Sequence, residues 1–222
     1  VDALVFQSEG ARDFFTIGKN QKTIVIHNSV TVPQDKYPIA ETRDNRIITV
    51  GRLHHQKNPH LLLDAFCKIA SRYPYIHLDF YGDGDMHDEL QEKINRLGME
   101  CRITLHPSQK NIFDCMRTAR LFVLPSDFEG MPNALMEAMS LGLPCISTDC
   151  RPGGARTLIE DGKNGFIVPV RDVDSLANKI SYLLDNPDVA ESVASEARHL
   201  GETHTNEAVF NKWNSFLKTL FV

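Results

Sequence analysis

Two carboxylates bracket the start of one predicted helix. Glu129 and Glu137, with seven residues between them, belong to the string Ser126-Asp-Phe-Glu-Gly-Met-Pro-Asn-Ala-Leu-Met-Glu137. The apolar run Leu121–Leu124 just before it reads as a buried strand, and Pro132 suits the first position of the helix that follows. The cap would then be Met131, which carries no oxygen to accept a hydrogen bond. The first backbone N–H groups, such as those of Asn133 and Ala134, are left open. Open donors at a helix start, reinforced by the helix dipole, make a cradle for an anion. A cradle flanked by two acids suits a ligand that is part phosphate and part polyol, and a nucleotide sugar is such a ligand.

A second group of residues could serve the same ligand. The strand Ile47–Val50 ends in Gly51-Arg52-Leu-His-His-Gln-Lys57. In an open parallel sheet, ligands sit beyond the carboxyl ends of the strands, where this loop lies. A guanidinium grips two phosphate oxygens at once, and an ammonium acts as a compact point charge. Two fixed cations would stabilise a departing diphosphate without a divalent metal. Taken singly, Arg52 and Lys57 read equally well as solvated loop residues, and Glu129 and Glu137 as a loop acid and a helix-surface acid.

Strands and helices alternate around these loops. Beyond Ile47–Val50, strands are predicted at Ile76–Tyr81, Arg102–Leu105, Leu121–Leu124, Pro144–Thr148 and Gly165–Val168. Helical spacing appears at Leu62, Phe66, Ile69 and Tyr73, with Asn58-Pro59 as cap and first position, then at Leu90, Ile94 and Leu97, and near residues 112–118. Repeated strand–helix units argue an α/β fold, a parallel sheet with helices on both faces. Asp2–Ser8 and Thr23–Ile26 look like two further strands outside that unit. Leu176, Ile180 and Leu183 share one helical face, and Pro187 separates that helix from the next. Val209, Trp213, Phe216, Leu217 and Leu220 form an apolar stripe on a last helix, read as ordinary core packing. Gly82-Asp-Gly84 is not a dinucleotide fingerprint and reads as a structural turn.

Composition narrows the class. The 222 residues are 42% hydrophobic and 24% charged with a formal net charge of -5, ordinary for a globular protein and without the basic excess of a nucleic-acid binder. No apolar run reaches the ~20 residues that span a bilayer. The five scattered cysteines contain no C-x-x-C pair and read as free thiols in a reducing compartment. No Cys/His cluster or H-E-x-x-H motif points to a metal site.

The string from Pro125-Ser126 through Glu129-Gly-Met-Pro to Leu135-Met-Glu137-Ala-Met-Ser-Leu-Gly-Leu-Pro144 resembles the signature of the GT4-type (group 1) retaining glycosyltransferases. These have the GT-B architecture of two facing Rossmann-like domains. The likeness runs from about Ile47 to about Asp172. It implies the C-terminal, donor-binding half of such an enzyme: residues 45–202 as the Rossmann-like nucleotide-sugar domain, 1–44 as the end of an acceptor domain and its connection, and 203–222 as a helix packing back toward the N-terminal side. Most of the acceptor domain would then lie outside this chain.

The resemblance also implies roles. Arg52 and Lys57 match the phosphate clamp, Glu137 the ribose ligand, and Glu129 the acid set against donor-sugar hydroxyls. Arg52, Lys57 and Glu129 make the catalytic set. Gly130, Met131, Asn133 and Ala134 line the cradle, and Gly153 and Gly154 belong to a sugar and diphosphate loop. Two departures stand out: Thr157 where an acid is common, and His106-Pro107 where relatives often carry glycine in the base-binding loop. The implied activity is retaining, metal-independent transfer from a nucleotide sugar, taken as a UDP-sugar, to a glycan or lipid-linked acceptor in surface polysaccharide synthesis. The implied setting is cytoplasmic, with the longer enzyme peripherally associated with the inner face of the membrane. The alternatives are a nucleotide-sugar-binding module inactive by itself and a sugar-nucleotide epimerase of the same architecture.

Overall fold

In the computed structural model, residues 3–15 and 21–220 are described. The chain opens with β1 (Ala3–Phe6), α1 (Glu9–Phe14) and β2 (Lys22–Val25), and β1 and β2 pair in parallel as a separate two-stranded sheet. Asp2, the first residue of the expected strand, lies outside the described residues. The central unit follows: β3 (Arg46–Val50), α2 (Pro59–Ile69), β4 (His77–Tyr81), α3 (His87–Arg96), β5 (Ile103–His106), α4 (Ile112–Met116), β6 (Leu121–Leu124), α5 (Asn133–Ser140), β7 (Cys145–Thr148), α6 (Gly154–Leu158) and β8 (Phe166–Val168). Helices α7 (Val173–Asp185), α8 (Pro187–Arg198), α9 (Leu200–Thr203) and α10 (Asn206–Lys218) complete it.

The main sheet has six strands in the order β5-β4-β3-β6-β7-β8, and every pairing is parallel. Successive side chains of a strand point to opposite faces, so the continuous apolar runs feed two cores at once. Ile47, Leu121 and Val123 join Leu62 and Phe66 of α2, Leu90 of α3 and Ile180 of α7. Ile48, Phe122 and Leu124 join Met116 of α4 and Leu135 and Met139 of α5 on the other face. Phe66, Phe80 and Phe122 are fully buried. Truncating any of them to alanine would cost ~3–5 kcal/mol.

Helix starts follow the sequence closely at α2 and less so at α5. The Asn58 side chain accepts from Leu61 N at 3.2 Å, with Pro59 in the first turn. In α5 the cap is Pro132 (φ -81°, ψ 98°), and the helix begins one residue later than expected, at Asn133. Met131 is drawn into the core, which pulls the chain through Pro132 in an extended conformation. The expectation for the last apolar stripe is also corrected. Phe216 is buried, whereas Trp213 and Leu217 are 40% and 42% exposed. Instead of entering the main core, α10 lies against β2, where Lys22 Nζ donates to Thr219 O and Ile24 shares a hollow with Phe216.

The strand order places the site. From β3 the chain moves outward to β4 and β5, then returns to lay β6 on β3's other edge. Connections leave β3 and β6 in opposite directions, which opens a crevice beyond their carboxyl ends.

Candidate active site

The loop leaving β3 is fixed by backbone contacts. Gly51 N donates to Tyr81 O at 2.9 Å, Leu53 N to Asp83 O at 3.0 Å, and Met86 N to Leu53 O at 3.1 Å. Gly82 and Gly84 permit this approach, because a Cβ on either would fall 2.1 Å from the carbonyl oxygen of Gly51 or Leu53. The Gly-Asp-Gly turn is thus structural: it presses one loop backbone against the other and holds Arg52 at the crevice. The Arg52 side chain is exposed and has no hydrogen-bond or ion-pair partner. Arg52 and Lys57 line one gap with Leu124 and Pro125.

The loop leaving β6 meets this one across the crevice. Glu129 is 5% exposed, and its carboxylate accepts from Ser126 Oγ at 2.6 Å and pairs with the Lys57 ammonium. Its backbone N–H donates to Arg151 O at 3.0 Å. The two loops are laced further. Asp127 N donates to Gln56 O at 2.8 Å, Gln56 Nε2 to Phe128 O at 2.8 Å, and Asn58 Nδ2 to Asp127 Oδ1 at 2.9 Å. A buried carboxylate held by a cation and a hydroxyl is fixed in direction.

Beyond Glu129 the chain enters α5. Pro132 supplies no side-chain cap, and the first intrahelical bond runs from Met136 N to Pro132 O at 3.1 Å. The N–H groups of Asn133, Ala134 and Leu135 lie ahead of that bond and are open, as the sequence led us to expect from a cap without an acceptor. One turn further, Glu137 is half-buried and has no partner for its carboxylate, and burial alone raises its pKa above the ordinary 4.5. An unpaired carboxylate there has its full accepting capacity free for hydroxyl donors.

Gly153 and Gly154 do different work from each other. A Cβ on Gly154 would fall 1.9 Å from Gly130 O, so this glycine lets the start of α6 touch the loop that carries the cradle. Gly153 has φ +90° and faces open space. Gly130 itself lies near Gln7, with a Cβ there 3.3 Å from the Gln7 Oε1. Met131 is buried, so only its backbone can reach a ligand.

Three residues that tie the site together were not singled out: Ser126, Gln56 and Asp127. Ser126 sits three positions before Glu129, a spacing that could have flagged it. Nothing local marks Gln56 or Asp127, whose partners come from the other loop. Beside Arg52, a hollow of 380 Å³ opens between the loop Val50–Arg52 and Ser108-Gln109, with Tyr81 in its wall. Tyr81 stacks on His106 with ring centroids 4.4 Å apart and planes 11° from parallel, and His106 Nε2 lies 3.2 Å from Asp79 Oδ1. Among the described residues no three His, Cys, Asp or Glu side chains converge as a metal-binding group.

A parallel sheet of this order, with basic residues from the β3 exit and an acid and open amides from the β6 exit, defines a Rossmann-like domain with a crevice at its switch point. Residues 34–200 match the family model described as glycosyl transferases group 1, and the chain belongs to that family. It is 26% identical over 200 residues to an uncharacterized glycosyltransferase of Haemophilus influenzae, covering 90% of this chain and 56% of that protein. It is 29% identical to the amylovoran biosynthesis glycosyltransferase AmsD of Erwinia amylovora, over 79% of this chain and 48% of that one. A crystal structure of Staphylococcus aureus TarM, in complex with fondaparinux, alpha-GlcNAc-glycerol and UDP, superposes with a TM-score of 0.87 at 23% identity, over 97% of this chain and 43% of that one. The chain thus spans about half the length of each of these relatives.

Proposed function

We propose that this chain is the donor-binding part of a retaining glycosyltransferase that moves a sugar from a UDP-sugar to a glycan or lipid-linked acceptor in surface polysaccharide synthesis. The observation that carries the proposal is the meeting of Lys57 with Glu129 beside the open N-terminus of α5 and the unpaired Arg52. Family membership supports the reaction class. The polysaccharide role named for AmsD and the UDP bound by TarM support the finer reading.

The roles follow from chemistry. Breaking the sugar–phosphate bond leaves a diphosphate with one more negative charge. The Arg52 guanidinium, the Lys57 ammonium and the N–H groups of Asn133 and Ala134 would receive it. Each charge-assisted hydrogen bond contributes ~1.5–3 kcal/mol and counts toward rate where it strengthens as the charge develops. This set supplies positive charge without a resident metal. Glu129, held by Ser126, would orient donor-sugar hydroxyls and favour positive charge at the anomeric carbon. Glu137 would accept both ribose hydroxyls, and the base would enter the hollow beside Tyr81 and Ser108. With retention, the acceptor hydroxyl approaches on the face that the phosphate leaves, and a phosphate oxygen takes its proton. Acceptor contacts would come in part from a second domain facing the crevice, with residues 1–44 as its end and residues 203–222 as the helix that returns to it. The setting would be the cytoplasmic face of the membrane.

A thermal-shift screen of UDP-, GDP- and ADP-sugars, with and without EDTA, tests this. UDP-sugars should stabilise the chain most, and EDTA should leave the shift unchanged. Stabilisation by none of the three would refute the proposal.

A further inference from the structure

Asp127 grips both chain neighbours of Lys57. Its backbone N–H donates to Gln56 O at 2.8 Å, and its Oδ1 accepts from Asn58 Nδ2 at 2.9 Å. Lys57 stands between these two attachment points, and Glu129, which receives the Lys57 ammonium, follows Asp127 by two residues. The second carboxylate oxygen is taken from a third loop. Arg171, past the end of β8, approaches Asp127 Oδ2 with Nε at 2.9 Å and Nη2 at 2.8 Å. One carboxylate thus joins the exits of β3, β6 and β8.

Backbone conformation marks the same carboxylate. Among the described residues, two positions other than glycine have positive φ: Asn58 at 42° and Arg171 at 59°. Both donate to Asp127. Left-handed backbone is costly for a residue with a side chain and persists where surrounding contacts over-determine it, as at functional sites. Asn58 is held at both ends of its amide, because its Oδ1 also accepts from Leu61 N at 3.2 Å. Stability alone accounts poorly for the third arm. The Arg171 side chain is 75% exposed, and an ion pair that open to water adds little. Charge does not account for Asp127 either, since a carboxylate beside an anion cradle repels the anion. Geometry does. A lysine ammonium rides on a flexible four-carbon stem, so its place depends on how firmly the backbone beneath it is held.

We infer that Asp127 is a positioning residue: by holding Gln56 and Asn58 it sets Lys57 against Glu129, so that the ammonium meets the departing diphosphate and the carboxylate meets the donor sugar. The effect on a ligand rests on the reading of the crevice as the donor site.

Three variants of this chain test it by calorimetry with UDP. Asn58→Gly removes the amide arm, changes no charge, accepts the left-handed backbone and costs the start of α2 little. Asp127→Ala removes the carboxylate. Asp127→Asn removes the same charge but keeps one carbonyl oxygen for Asn58. Asn58→Gly and Asp127→Ala should each bind UDP about fivefold more weakly, as for the loss of one hydrogen bond, and the two combined should be no weaker. Asp127→Asn should stay within about twofold of the parent. In a Lys57→Met background neither Asn58→Gly nor Asp127→Ala should weaken UDP further, a result that a merely structural role would not give. Melting temperatures confirm that each variant is folded.

An Asp127→Ala variant that binds UDP as tightly as the parent, or more tightly as the lost charge alone would dictate, overturns the inference. So does an Asp127→Asn variant as weak as Asp127→Ala, or equal weakening in the Lys57→Met background. A second measurement needs no nucleotide. The coupling between Lys57→Met and Glu129→Gln in urea should fall by at least about half in the Asn58→Gly background, and an unchanged coupling overturns the inference. UDP binding by the parent with unchanged coupling leaves the donor reading standing. A parent that does not bind UDP overturns the donor reading, while a reduced coupling still supports Asp127 as the residue that sets the ion pair.

Discussion

The Lys57 ammonium, from the loop after β3, and the buried Glu129 carboxylate, from the loop after β6, form an ion pair across the switch point of the sheet. Ser126 Oγ donates to the same carboxylate oxygen. The pair joins the two strand exits whose divergence creates the crevice, so it ties the architecture together within the candidate site.

Removing one partner should therefore cost stability. Lys57→Met leaves Glu129 buried with only Ser126 on it, and we expect a loss of ~1–3 kcal/mol, less than for a fully buried pair because the Lys57 side chain is 27% exposed. The double variant Lys57→Met/Glu129→Gln should recover part of that loss. Urea titrations of the two singles and the double give the coupling, and simple additivity would mean that the pair contributes nothing.

Glu137 makes a prediction about pH. Its folded pKa is raised from 4.5 by burial, so the ionised form opposes folding. The protonated form carries no such cost, so the penalty is absent below pH 4.5 and develops as pH rises through the folded pKa. Glu137→Gln should be more stable than the parent at pH 7, with the difference closing toward pH 4, while UDP affinity falls by about tenfold through loss of one acceptor oxygen. Chemical denaturation across pH, with UDP calorimetry, checks both halves.

His27 and His204 titrate in the opposite sense. The rings stack with centroids 5.4 Å apart, and Nδ1 of His27 lies 3.2 Å from Nε2 of His204. Burial lowers both pKa values from 6.5, with Glu9 opposing the shift at His27 and Lys212 adding to it at both. The stability of the neutral pair is present above pH 6.5 and is lost as pH falls through the lowered values. His204→Asn should flatten the acid limb of the stability profile, by less than the ~1.4 kcal/mol per pH unit of a full proton because both rings are only partly buried. An unchanged slope would contradict this.

Gly154→Ala should be far more disruptive than Gly153→Ala. The first sets a methyl 1.9 Å from Gly130 O and should cost ~1–3 kcal/mol while displacing the cradle, so that UDP binding weakens too. The second meets only backbone strain, since its Cβ faces open space at φ +90°. Melting curves with and without UDP separate the two effects.

The six main strands and the residues at their exits were legible because a parallel sheet is built from short, continuous apolar runs, and Ile47–Val50 and Leu121–Leu124 are such runs. The open helix start at Asn133 was legible because neither Met131 nor Pro132 carries an acceptor. The one-residue shift of α5 was not, because it depends on Met131 finding space in a core assembled from distant strands. The uncovered face of α10 was missed for the same reason: the spacing of Trp213 and Leu217 fixes a stripe, and only tertiary contacts decide what it meets. Gln56 and Asp127 act through partners about seventy residues away in sequence, a relation that no local pattern contains.

The most direct measurement is a crystal structure of this chain with UDP. It should show the diphosphate oxygens within hydrogen-bond distance of the Asn133 and Ala134 N–H groups and of the Arg52 and Lys57 side chains, with the ribose on Glu137. A nucleotide seated away from the start of α5, or a crevice that stays closed by Lys57 and Glu129 at saturating UDP, would contradict the account.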